Sequence, residues 1–156
     1  MAIHLPQIMA DETKLVVVPE HLTRKEKQFL LLPKAVHGLE KMYKNALENN
    51  IRLVVISAYR TFDFQKDLFE DAERRYGIGN GSTWVAPPGH SEHHTGLVVD
   101  LGDYDFPNYD DEPGFEQTPA AAWLLNNAPD HGFSLSFPKG NWQGVGYEPW
   151  HWKFTS

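Results

Sequence analysis

After Pro33, the apolar residues Val36, Leu39, Met42, Tyr43, Ala46 and Leu47 recur at helical spacing with Lys and Glu between them, which predicts an amphipathic helix packed on a sheet. Asn49-Asn50 ends that period, and Ile51-Arg52-Leu53-Val54-Val55-Ile56 follows as a strand buried on at least one face. It delivers Ser57-Ala58-Tyr59-Arg60 at its C-terminal end, ahead of a second helix over residues 62–76. Leu97-Val98-Val99-Asp100-Leu101 reads as another buried strand with one polar interruption. Upstream, Leu15-Val16-Val17-Val18 before Pro19 predicts a short edge strand, and residues 23–28 a charged turn or solvated loop. Downstream, Thr118-Pro119 has the form of an N-cap followed by proline at the first helical position, opening a helix to about Ala128. Residues 133–137 read as a strand, 139–146 as a Gly-rich turn and 147–154 as the last strand. In that strand Trp150, Trp152 and Phe154 alternate with His151 and Lys153, which sets His151 on the face opposite the aromatics. The pattern contains no repeat or linker, so the expectation is one α+β domain over residues 1–156. Helices pack on a small mixed or antiparallel sheet, and residues 1–34 form an N-terminal extension with the edge strand.

A chain of 156 residues is long enough for a core that needs no disulfides, and it has no Cys, which excludes thiolate ligands and a Cys nucleophile. The formal net charge of −7 argues against nucleic acid as a partner. No apolar run approaches the ~20 residues that span a membrane, and residues 1–6 lack the basic and apolar regions of a signal peptide. The expected place of action is the bacterial cell envelope or periplasm if export information lies outside this chain, and the cytoplasm otherwise. Residues 102–117 are dense in Asp and Glu but lack the regular spacing and glycine of a calcium loop, so they read as a solvated acidic loop.

The chemistry concentrates in Ser91-Glu92-His93-His94-Thr95-Gly96 running into Asp100, and in Glu148-Pro149-Trp150-His151. Hydrolytic zinc takes three protein ligands, usually His and carboxylate, and keeps a fourth position open. Asp100 is costly to bury unless it is paired or on a metal, and a reversal at Thr95-Gly96 can swing His93 back beside it. With His151, these residues make a candidate set for one Zn2+ per chain. Glu148, biased to extended geometry before Pro149, can reach the attacking water without being a ligand.

Ser-x-His-x-x-Gly-x-x-x-Asp followed by Glu-Pro-Trp-His resembles the zinc D-Ala-D-Ala carboxypeptidases, the LAS-type peptidases that include vancomycin-resistance carboxypeptidases and dipeptidases. Ser57-Ala58-Tyr59-Arg60 with Gln65, Pro88-Gly89-His90-Ser91, and Trp123-Leu124 leading to Gly132-Phe133 match as well, so the resemblance spans about residues 35–154. Val98 departs from the Ala often found in the family.

The resemblance implies removal of the terminal D-Ala of peptidoglycan stem peptides by a monomer whose zinc site lies in a cleft on the sheet. Glu148 would act as general base, and the Arg60 fork would hold a terminal carboxylate or an oxyanion. Gln65 and Ser91 would add hydrogen bonds to substrate, although sequence alone makes Ser91 a turn residue. Within the same fold an L,D-carboxypeptidase, a D-Ala-D-Ala dipeptidase and an endopeptidase remain open. From other classes stand a non-catalytic zinc-bearing wall-binding module and a Ser hydrolase on Ser91, the latter without a Gly-x-Ser-x-Gly elbow. Glu92 reads as lying behind the ligands or at the surface, His94 as structural, and Trp142, Trp150 and Trp152 as core or pocket wall. The histidines at 4, 21, 37 and 131 lie outside the motifs.

Overall fold

In the computed structural model, which describes residues 2–155, the first β-branched pair, Val16–Val17 (β1), pairs antiparallel with Leu30–Leu31 (β2). The expected edge strand is thus half of a two-stranded ribbon standing apart from the main sheet. Helix α1 (Pro33–Glu48) starts with proline at its first position and buries Ala35, Leu39, Met42 and Ala46, whereas Leu47 at the end of the predicted stripe is 44% exposed. It stops where Asn50 takes a left-handed conformation, φ 61°. Strand β3 (Leu53–Ser57) follows, and then α2 (Phe62–Tyr76), whose first turn is capped by the Thr61 hydroxyl accepting from the Phe64 amide at 3.1 Å.

Strand β4 (Val98–Asp103) is buried along its whole length and pairs antiparallel with β3. Its last residue anchors the next helix: the two oxygens of Asp103 accept from the amides of Asp105 and Ala120, each at 3.0 Å. Helix α3 (Pro119–Asn127) begins there, capped by Thr118 as the Thr-Pro pair predicts. Strand β5 (Phe133–Leu135) comes next, then a long loop and β6 (His151–Phe154). The sheet order is β3-β4-β6-β5 and every pairing is antiparallel, so the last strand in sequence lies inside the sheet. The four residues predicted to open that strand, 147–150, are instead an extended turn leading into it.

One apolar cluster joins α1, the sheet and α3, with Leu39, Leu53, Leu101, Leu124, Phe133 and Trp152 among its most buried members. The fold is the expected α+β arrangement of helices on a small sheet. Its other face, near the adjoining ends of β3, β4 and β6, carries the polar residues.

Candidate metal centre

Register builds the centre. Asp100 in β4 is paired with His151 in β6 on one side and with Ser57 in β3 on the other, so these side chains are cross-strand neighbours. An irregularity between Val55 and Ser57 shifts the pairing at that point and lets the chain leave β3 toward Arg60. His93 comes from a single 3-10 turn, Glu92–Thr95, capped by the Ser91 hydroxyl accepting from the His93 amide at 3.1 Å. The turn ends at Gly96, whose φ of 71° is the left-handed step that returns the chain into β4 beside its own histidine.

Each imidazole is oriented by a partner behind it. His93 Nδ1 lies 2.7 Å from the Ala58 carbonyl, which can only accept, so Nδ1 carries the proton and Nε2 is the free nitrogen. His151 Nε2 donates to Glu92 Oε1 at 2.9 Å, which leaves Nδ1 free. Both free nitrogens point at one atom: Asp100 Oδ1 is 3.2 Å from His93 Nε2 and 3.2 Å from His151 Nδ1. That oxygen is buried and has no hydrogen-bond partner among the described residues. One donor atom from each of the three residues lies within 4.8 Å of the others, and all three residues are buried.

Lone pairs on two nitrogens and an anionic oxygen in a buried space repel one another unless a positive charge, a shared proton or a metal ion, sits between them. The electrostatics express the same demand. Burial opposes charge on His151, yet the Asp100 and Glu92 carboxylates beside its ring outweigh burial and push it up to about 10. Burial, aided by the Arg60 guanidinium, takes His93 down to about 4, so its ring is neutral at neutral pH. Burial would raise Asp100, but the two imidazoles hold it well below the usual carboxylate range. For Glu92, likewise, the hydrogen bond from His151 overcomes burial and lowers it to about 2. Two imidazoles and one carboxylate are a donor set that suits Zn2+ and leaves part of its coordination open. The carbonyl and carboxylate behind the rings are the supports that metal-binding histidines require.

Around this group lies a cleft of ≈ 130 Å³ whose lining includes Arg60, Gln65, Ser91, His93, Asp100, Glu148 and His151, every site residue read from the sequence. Glu148 is 8% exposed, and its carboxylate forms no hydrogen bond or ion pair with the described residues. Burial pushes that carboxyl up to about 8 against the pull of His151. Arg60 is held on three sides: Nε donates to Ser57 Oγ at 3.1 Å, Nη1 to Gln65 Oε1 at 3.3 Å, and Nη2 approaches Asp100 Oδ2 at 3.4 Å. Gln65, almost fully buried, also donates to the Ala86 carbonyl at 2.9 Å. Beyond Arg60 a larger groove of ≈ 330 Å³ continues past Lys27, Phe29 and Phe64.

The residues around this group divide between those the sequence marked and those it did not. Glu92 lies behind His151, one of the two places the sequence allowed it, because the 3-10 turn that carries it brings its carboxylate to that ring. His94 is fully buried as a structural link, its Nδ1 donating to the Arg60 carbonyl at 2.8 Å and its Nε2 accepting from the Gly89 amide at 3.0 Å. Trp150 and Trp152 are core, whereas Trp142 is 70% exposed and belongs to neither core nor pocket wall. In the acidic loop, Asp110 pairs with Arg24 through both oxygens at 2.9 and 3.0 Å, so it is fixed rather than free in solvent. Asp111 adopts φ 56° and, although exposed, lines the cleft. His4, which lies outside every motif, also lines the cleft.

Comparison with known proteins agrees with this geometry. A family profile described as VanY, D-alanyl-D-alanine carboxypeptidase, matches residues 28–156. The bifunctional D-Ala-D-Ala dipeptidase and D-Ala-D-Ala carboxypeptidase VanXYC of Enterococcus gallinarum is 32% identical over 132 residues, covering 80% of this chain and 67% of its own length. Across the curated relatives it matches, the chain spans from 34% to 67% of their length, and 45% of YodJ of Bacillus subtilis. Among solved structures, the LdcB LD-carboxypeptidase superposes with a TM-score of 0.83 at 28% identity, covering 97% of this chain and 72% of that one. A vancomycin-resistance D,D-pentapeptidase VanY in complex with Zn(II) shares the fold, with a TM-score of 0.72 at 22% identity over 96% of this chain and 87% of that one.

Proposed function

The chain belongs to the VanY D-alanyl-D-alanine carboxypeptidase family, and from that premise we propose that it is a zinc-dependent D,D-carboxypeptidase acting on the stem peptides of peptidoglycan. The observation that carries the metal assignment is the convergence of two free imidazole nitrogens on the unpartnered oxygen of Asp100. His93 Nε2, His151 Nδ1 and Asp100 would hold the ion. When bound there, Zn2+ supplies Lewis-acid polarisation of a carbonyl and a water acidic enough to lose its proton near neutrality.

The protein's own residues do the rest. Glu148 takes the proton of the attacking water and returns it to the departing amine of D-Ala. Burial by itself raises this carboxyl, and a cation held by the adjoining His93, Asp100 and His151 would favour the ionised form that accepts the proton. Arg60, its guanidinium set in place by Ser57 and Gln65, pairs with the terminal carboxylate of the peptide through a charge-assisted fork. Ser91 and Gln65 line the same cleft and serve to fix the substrate's position, Ser91 while capping the turn that carries His93. Glu92 and the Ala58 carbonyl keep the two imidazoles in the tautomers that binding needs.

The likeness to LdcB over nearly the whole chain favours a second reading, an L,D-carboxypeptidase that acts on the tetrapeptide. Mass spectrometry of products from defined penta- and tetrapeptide stems, with and without chelator, separates the readings. Release of one D-Ala from the pentapeptide alone, abolished by chelator and restored by zinc, is the expected result. Release from the tetrapeptide alone establishes the second reading, and chelator-resistant release overturns the metal mechanism. No helix among the described residues is long and apolar enough to cross a membrane.

A further inference from the structure

Residues 2–10 precede the matched family region, which starts at residue 28, yet one of them, His4, lines the cleft. Backbone hydrogen bonds fasten them at three points: Ile3 N to Gln143 O at 2.7 Å, Gln7 N to Gly89 O at 3.0 Å, and Ala10 N to His94 O at 2.8 Å. The Gln143 side chain returns a bond to the Ile3 carbonyl at 3.0 Å. Between these ties His4 turns inward. Its Nε2 lies 2.7 Å from the Ser82 carbonyl, an acceptor, so that nitrogen carries the proton. Its ring meets the Phe137 ring edge to face with centroids 6.2 Å apart, and Phe137 in turn lies 4.8 Å from the ring of the metal-ligand candidate His151. Burial lowers the pKa of His4, which keeps the ring neutral at neutral pH. Its Nδ1 therefore presents a lone pair, and no described residue donates to it.

We propose that this N-terminal strap is part of the substrate site, and that His4 Nδ1 accepts the backbone N–H of the residue on the acyl side of the scissile bond. The proposal rests on the D,D-carboxypeptidase reading above and extends it. Arg60 sits on the Asp100 and Gln65 side of the cleft, whereas His4 sits with Phe137 on the His151 and Glu92 side. A peptide whose terminal carboxylate meets Arg60 and whose scissile carbonyl meets the metal group then extends toward His4. The first backbone N–H it brings there belongs to the penultimate D-Ala. A neutral acceptor is the group that such an N–H needs, and a strap tied by backbone bonds can hold one in place.

The test pairs a substrate change with a protein change. One peptide ends in D-Ala-D-Ala; in its twin D-lactate replaces the penultimate D-Ala, so that one N–H becomes an ester oxygen. Release of the terminal D-Ala is measured on both with the zinc-loaded protein. The wild type should favour the amide peptide in kcat/KM on the order of tenfold, chiefly through KM, as expected for one neutral hydrogen bond. His4→Gln keeps a donor for Ser82 but has no acceptor where Nδ1 stands, and it should process the two peptides equally. His4→Asn places its carbonyl oxygen near the Nδ1 position and should recover part of the preference. Equal zinc content and melting temperature in the three proteins are the controls. An amide preference that persists undiminished in His4→Gln, or that is absent from the wild type, overturns the role of His4 and leaves the carboxypeptidase reading in place. Failure of the wild type to release D-Ala from either peptide overturns both.

Discussion

On one side of the cleft, Asp100 and His151 are cross-strand neighbours in a sheet whose strand β4 is buried from end to end. The rest of the lining, including Trp84, Val85 and His4, comes from segments without strand or long helix, held by individual hydrogen bonds such as His4 Nε2 to the Ser82 carbonyl and Gly146 N to the Thr83 carbonyl. The first wall is fixed by register: a slip of one residue would turn Asp100 to the opposite face and dismantle the centre. The second is fixed contact by contact, so it can change without moving the metal ligands. On the proposed function, chemistry and selectivity would be carried by parts of the molecule with different tolerances.

The largest effect should come from cutting the strand wall. His151→Ala should lose bound zinc and all metal-dependent turnover, read by elemental analysis beside a peptide assay; full zinc occupancy in that variant would remove His151 from the ligand set. Next is Glu148→Gln, which should keep zinc and fold while kcat falls about 10²–10⁴-fold. Turnover close to wild type in the zinc-loaded protein would require another proton carrier. Glu92→Ala removes the acceptor behind His151 and should weaken zinc binding about 10- to 100-fold in a chelator competition, with no change in the products formed. The smallest effect belongs to the loop wall. A Cβ on Gly146 would overlap the Trp84 ring, so Gly146→Ala should lower stability by about 1–3 kcal/mol through forced repacking. It should also shift KM severalfold while zinc affinity stays at the wild-type value. If Gly146→Ala instead releases zinc, the two walls are not separable and the contrast drawn here fails.

That contrast also explains what could be read from the sequence. Asp100 stands out because it is an acid inside an apolar strand, and His151 because it alternates with aromatics, so pattern alone marked both. The helices over 33–48 and 62–76 and the Thr118 cap were legible for the same reason: their signals are local and periodic. Glu148 was legible too, as an acid set by the following proline at the entrance to the last strand. The place of Glu92 behind a ligand candidate was legible, but its partner His151 was not, because the 3-10 turn that carries it follows neither strand nor α-helix periodicity. His4 carried no signal at all, since its place depends on bonds to Ser82 and, through Ile3, to Gln143, partners 78 and 140 positions away. Asp111 was hidden among neighbouring acids, and only its left-handed backbone and its place on the cleft distinguish it.

The position of β6 inside the sheet has a further consequence for how the protein comes into being. As the chain is synthesised, β3, β4 and β5 exist before the segment that must lie between β4 and β5 has emerged. Until residues 151–154 arrive, β4 and β5 each present an open edge capable of pairing with another molecule, and the nascent chain carries only His93 and Asp100 of the ligand set. Insertion of one short strand closes both edges and completes the set in a single event. On the zinc reading proposed above, metal capture would report that β6 is in place, and a chain interrupted anywhere before residue 151 would be both inactive and prone to self-association.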